Sequence, residues 1–116
     1  MEESKKIAVI KENHLFSKVY GKGKSFVSKA LAVYVLKNYN KSETLVGFTV
    51  SKSRGNAVKR NLIRRRIREA YRTLYPFVKK GYLIVIVARG SCERYSSTVL
   101  CDQLHDILKR ASLMTD

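Results

Sequence analysis

Apolar and polar positions follow three rhythms along this chain, and each rhythm predicts an element. From Ala57 to Tyr75 the apolar residues recur at spacings of three and four, the repeat of an amphipathic helix. Projected at about 100° per residue, Ile63, Ile67, Ala70, Tyr71 and Leu74 share an arc of roughly 100°, the width of a core-facing stripe. Asn61, Arg64, Arg65, Arg68 and Arg72 share a second arc of similar width. Lys59 and Arg66 point to the far side, and Arg60 falls inside the apolar arc, where its stem can lie along apolar surface. Asn56 after Gly55 is a good N-cap, and Pro76 ends the pattern because it disfavours helix in the residue before it.

The same spacing over Lys11 to Tyr20 predicts a shorter first helix with Leu15, Phe16, Val19 and Tyr20 on one side. From Ser96 onward, Val99, Leu100, Leu104, Ile107, Leu108 and Ala111 predict a last helix. Lys29 to Lys37 and Thr44 to Ser51 read as strands joined by polar Asn38 to Glu43, and they are expected to pair as an antiparallel hairpin. Gly81 to Ala88 is almost wholly apolar, as a strand buried on both faces in mid-sheet should be. Ile7 to Ile10 is an extended segment leading into the first helix, after a polar end, Met1 to Lys6, expected to be mobile. Gly21 to Ser25 reads as a basic loop without the spacing of a Walker phosphate loop, and Arg89 to Tyr95 as a polar one. With no repeat or linker, the prediction is one α+β domain, an α/β sandwich spanning residues 1–116.

Charge narrows the partner. The chain has 24 Lys and Arg against nine Asp and Glu, a net charge of +15, which implies a polyanion bound in a salt-sensitive way. No apolar run reaches about 18 residues, and no signal or lipidation pattern is present, so nucleic acid is favoured over a membrane and a cytoplasmic location is expected. A merely solvated helix face mixes its signs. The Arg64–Arg65–Arg68–Arg72 arc contains no acid; Glu69 is the only one in the helix and lies outside it. Arginine is also the side chain whose planar fork grips phosphate oxygens bidentately.

The chemistry of an enzyme acting alone is missing. No carboxylate pair suited to magnesium, no nucleophile with a base and no serine elbow is present. His14 and His105 read as surface or partly packed histidines; Cys92 and Cys101 lack zinc-ligand spacing and read as free thiols. A DNA reader would need a helix-turn-helix or zinc-finger context, which is absent. A sheet flanked by helices and carrying aromatics suits single-stranded RNA, whose unpaired bases stack on rings. Phe16, Tyr20, Phe26 and Tyr34 are the candidates.

Ser51-Lys52, Gly55-Asn56-Ala57-Val58-Lys59-Arg60-Asn61 and Ile63-Arg64-Arg65-Arg66-Ile67-Arg68-Glu69 together closely resemble the arginine-rich signature of the bacterial ribonuclease P protein subunit. The likeness covers nearly the whole chain: Phe16 to Tyr20 with the Gly21 to Ser25 turn resembles the family's first helix, and Val46 to Lys52 and Tyr82 to Arg89 match its strands. This resemblance implies a mixed sheet like that of the second domain of ribosomal protein S5, with a left-handed β-α-β crossover that runs against the general rule. It implies a subunit of an endoribonuclease that removes the 5′ leader of precursor tRNA. The catalytic groups are expected on a large RNA, with Mg2+ held by that RNA and at the RNA–protein interface, no organic cofactor, and no catalytic or metal-binding residue on this chain. Neither a membrane nor an obligatory protein partner is implied.

Carried onto this sequence, the residues facing the catalytic RNA are Lys52, Arg54, Asn56, Lys59, Arg60, Asn61, Arg64, Arg65 and Arg68. Phe16, Tyr20 and Tyr34 match aromatic positions of a leader-binding cleft between the first helix and the sheet. Where relatives often carry a basic Arg-Leu type segment, this chain has Ile7-Ala8-Val9-Ile10, and Tyr20 is often phenylalanine. The rival readings are a ribosomal-type RNA-binding protein that promotes no reaction and, more weakly, a self-sufficient nuclease.

Overall fold

A strand that is apolar on both faces can be satisfied only inside a sheet, with neighbours along both edges. The chain obeys this. In a computed structural model describing residues 7–39, 42–90 and 92–115, the elements are α1 (Asn13–Lys22), β1 (Lys24–Val27), β2 (Leu31–Lys37), β3 (Leu45–Thr49), α2 (Ala57–Leu74), β4 (Tyr82–Ala88) and α3 (Ser97–Arg110). The sheet order is β1-β2-β4-β3, with β4 antiparallel to β2 and parallel to β3. The polar end Met1 to Lys6 lies outside the described residues.

This order corrects the expected hairpin. β2 and β3 do not pair with each other; β4 enters between them, so Tyr34 and Gly47 both face Val85 from opposite sides. The apolar run had to be central, and β3–α2–β4 is the long connection that parallel strands require. A second correction concerns the basic loop. Lys24 to Val27 is the edge strand β1, turning into β2 so that Val27 faces Ala32. The turn is pinned by Gln103 of α3, whose side-chain oxygen accepts from Ser28 Oγ at 2.6 Å and from the Ala30 amide at 3.1 Å. Ile7 to Ile10 is extended as expected, and Val9 makes a parallel bridge to Val46 on the outer edge of β3.

The strand alternation assigns each side chain to a face. Val33, Val46, Ile84 and Ile86 point towards α2 and α3, where they meet Ile63, Ile67, Tyr71, Leu100, Leu104, Ile107 and Leu108 in the main core. Leu83 and Val85 point the other way and are covered by Val19 of α1 and by Ile10. All five stripe residues read from the periodicity of α2 are buried. Burying each large apolar side chain stabilises the fold by about 1.5–3 kcal/mol. The Asn56 side chain caps α2 by accepting from the Lys59 amide at 2.9 Å, and Ser96 caps α3 by accepting from the Val99 amide at 3.3 Å.

Tyr71 fills the core with its ring edge-on to Phe48, the centroids 5.9 Å apart. Its hydroxyl is buried with no hydrogen-bond partner among the described residues, and burial pushes its ionisation well above the ordinary range. Tyr71→Phe keeps the ring and removes a desolvated polar group, so it is expected to stabilise the protein by about 1 kcal/mol. Thermal unfolding checks this: a rise in Tm of roughly 4 °C is expected, and a fall would mean that the hydroxyl is bonded.

Cys92 and Cys101 are both free thiols. Cys92 is buried, and loss of solvent pushes its thiol up to about 11 from 9.0; Arg54 and Arg66 oppose this and Glu93 adds to it. The raised value disfavours thiolate in the folded state, so the unfolded chain releases this proton first. The Cys92 contribution to stability is therefore full below pH 9 and lost as pH rises through about 11. Urea midpoints are expected to fall across that window less steeply in Cys92→Ala than in the parent. Half-exposed Cys101 should react with maleimide at pH 8 well before Cys92 does.

Candidate nucleic-acid interface

The outer face of α2 carries its arginines in fixed positions. Asn61 is exposed, and its side-chain oxygen accepts from Arg64 Nη1 at 2.8 Å. One turn later the Arg68 guanidinium lies over the Phe48 ring, 5.3 Å from its centroid, at the β3 edge of the sheet. Arg65 and Arg72 are exposed and make no ion pair among the described residues. Asn61, Arg64, Arg65, Arg68, Glu69 and Arg72 line one shallow groove of about 410 Å3 along the helix. Two of its four guanidinium groups are thus aimed before any ligand arrives. Lys52 and Lys59 are exposed at the start of this face, and Arg60 is half-buried as its place in the apolar arc predicts.

Other residues of the signature turn inward. Arg54 donates through Nη1 to the Gly90 carbonyl, and the same nitrogen stands 4.0 Å from the Glu93 carboxylate. Arg66 donates to the carbonyls of Glu93 at 2.9 Å and Tyr95 at 3.4 Å. These two arginines brace the Cys92–Arg94 turn against α2, a role that only the folded arrangement reveals. Asn56 spends its side-chain oxygen on the helix cap. Gly55 has φ 132°, a conformation that favours glycine, and lets the chain turn into that cap.

A second surface lies on the α1 side of the sheet. Tyr34, Val85 and Gly47 form one row across β2, β4 and β3. Because Gly47 has no side chain, the Phe16 ring settles there; an added Cβ would stand 2.5 Å from Phe16 Cε1. Tyr20 packs edge-on against Tyr34 with centroids 4.9 Å apart, and its hydroxyl donates to Thr49 Oγ1 at 3.3 Å. Tyr20 remains 41% exposed, whereas Phe16 and Tyr34 are half-buried and form the floor. Phe26 does not join them. Its register opposite Val33 puts it on the other face, against the main core, which removes it from the stacking candidates.

The two surfaces are neighbours. Thr49, which meets Tyr20, is the last residue of β3, and Ser51 and Lys52 follow directly on the way to α2. An aromatic cleft and an arginine-lined helix therefore meet at one end of β3. Among the described residues no three His, Cys, Asp or Glu side chains gather as a metal site, and no helix is long and apolar enough to cross a membrane.

Comparisons with known proteins identify the family and the fold. The sequence profile of the family described as Ribonuclease P matches residues 5–112. The ribonuclease P protein component of Symbiobacterium thermophilum is 37% identical over 110 residues, covering 95% of this chain and 96% of that protein. That of Clostridioides difficile is 41% identical over 106 residues, covering 90% and 91%. Among solved structures, the Staphylococcus aureus RNase P protein superposes with a TM-score of 0.83 at 31% identity, covering 94% of this chain and 99% of that one. The Thermotoga maritima RNase P protein gives 0.78 at 25% identity, covering 88% and 96%. With the profile match spanning nearly its whole length, the chain belongs to the ribonuclease P protein family.

Proposed function

We propose that this chain is the protein subunit of a ribonuclease P that binds the catalytic RNA through α2 and the 5′ leader of precursor tRNA through the cleft beside α1. The observation that carries the proposal is the continuity of the two surfaces: Tyr20, packed on Tyr34, reaches Thr49 at the end of β3, and the chain goes on from there to Lys52 and the arginine face. A leader emerging from a tRNA held on the catalytic RNA would meet both surfaces at such a boundary. Lys52, Lys59, Arg64, Arg65 and Arg68 neutralise phosphates and release counterions. Tyr20 and Tyr34 offer ring faces and edges to unpaired bases, and stacking tolerates many leader sequences.

The reaction itself is hydrolysis at the leader junction. Mg2+ would supply its charge stabilisation, and the scarcity of clustered carboxylates among the described residues favours phosphate oxygens of the RNA as its ligands. What the chain contributes is positioning and lowered phosphate repulsion, so the RNA should hold its active shape at lower Mg2+. The expected location is the cytoplasm, where precursor tRNA is processed.

Multiple-turnover cleavage of a precursor tRNA at low Mg2+ tests this, with the protein alone, a bacterial ribonuclease P RNA alone, and both. Cleavage only by the pair is the expected result. Cleavage by the protein alone at the same bond would place the active site on this chain. Binding without any gain in cleavage would favour a structural RNA-binding protein.

A further inference from the structure

A second groove runs along the flank of α2 that faces α3, adjoining the outer-face groove and sharing Arg65 and Glu69 with it. Leu62, Arg65, Arg66 and Glu69 of α2, Arg94 of the Cys92–Arg94 turn, and Ser96 and Ser97 at the start of α3 line it. Its volume is about 660 Å3, larger than that of the groove on the outer face.

The groove is built rather than incidental. Arg66 holds the carbonyls of Glu93 and Tyr95, so the turn that carries Arg94 is tied directly to α2. Arg65 and Arg94 are exposed, and neither has an ion-pair partner among the described residues. Glu69 is the only carboxylate among the lining residues, so positive charge exceeds negative there. Beside the guanidinium groups lies an apolar strip: Leu62 is 38% exposed and Val58, one turn earlier, 79%. A simple anion would use the charge alone. A sugar-phosphate strand uses both, with phosphates on the arginines and a ribose or base against Leu62 and Val58.

We propose that this groove is a second RNA-backbone site, in which Arg94, beside Arg65, grips a phosphodiester away from the outer face of α2. The proposal rests on the reading that α2 binds RNA, because Arg65 lines both grooves and forms the ridge between them. The RNA then meets α2 on two flanks, and the footprint of the protein extends to the start of α3.

The test compares Arg94→Glu, Arg94→Lys and an Arg64→Ala/Arg68→Ala double variant with the parent, measuring affinity for a ribonuclease P RNA across a potassium chloride series. Circular dichroism and Tm check that each variant folds. Arg94→Glu is expected to weaken binding several-fold and to lower the salt slope by about 0.7–0.9, the share of one phosphate left unneutralised, with Arg94→Lys restoring most of it. If Arg94→Glu binds like the parent while the double variant loses affinity, the second groove is refuted and the outer face stands. If neither variant changes binding, the reading of α2 falls together with this one. If Arg94→Glu loses binding to polyglutamate but not to RNA, the groove serves an acidic protein and the proposal is overturned.

Discussion

Replacing Arg64, Arg65 and Arg68 together by alanine is expected to weaken assembly with the catalytic RNA and to lower the salt slope by about 2–3, roughly 0.7–0.9 for each phosphate left unneutralised. The size of the effect follows from the geometry. Two of the three guanidinium groups are already positioned, Arg64 by Asn61 at 2.8 Å and Arg68 over the Phe48 ring at 5.3 Å. Binding therefore costs less side-chain freedom than it would with free arginines. The fold should survive, because α2 packs on the core through Ile63, Ile67, Ala70, Tyr71 and Leu74. Filter binding or fluorescence anisotropy from low to moderate salt measures the slope. A slope equal to that of the parent would remove the outer face of α2 from the interface.

Truncating the aromatic pair is expected to act on a different quantity. Tyr20→Ala with Tyr34→Ala should narrow the preference for precursor over mature tRNA, leaving affinity for mature tRNA nearly unchanged. Stacking contributes about 1–3 kcal/mol per base, equivalent to roughly 5–150-fold in that ratio. Tyr34 also packs against the smaller core beneath α1, so Tyr20→Ala alone is the cleaner variant. Tyr20→Phe keeps the ring and removes only the 3.3 Å bond to Thr49, so it should retain most of the preference. If the ratio of affinities stays constant through the whole series, the cleft does not hold the leader.

Much of this arrangement is readable in the chain. Asn56 and Pro76 bound α2, and its inner and outer faces follow from a 3.6-residue period that packing respects residue by residue. The central place of β4 follows from its unbroken apolar run. Strand order does not follow. Neighbours in sequence usually pair, and nothing local in Leu31 to Thr49 announces that a strand more than thirty residues later will separate β2 from β3. β1 is hidden because Lys24 and Ser25 face solvent and only Phe26 carries a strand-like burial.

The site shows the same division. Phe16, Tyr20 and Tyr34 as the cleft set come from the family resemblance, since residue type alone also offers Phe26, whereas residue types and helical phase pick out the arginine face. They do not separate arginines that reach solvent from those, Arg54 and Arg66, that bond to carbonyls some 27 to 36 residues away. Nor do they assign Phe26 to the opposite face, since that requires the register of β1 on β2. Arg94 carries no local signal at all; only the docking of its turn onto α2 brings it beside Arg65.

The insertion of β4 between β2 and β3 also governs the order in which the molecule can be completed. As the chain is synthesised, β2 and β3 emerge with no partner at the edges they will later share with β4, and an open edge is a template for wrong pairing. Neither edge closes until Tyr82 to Ala88 arrives, and it arrives only after the whole of α2. The whole of the cationic helix must therefore be made before the sheet can be completed.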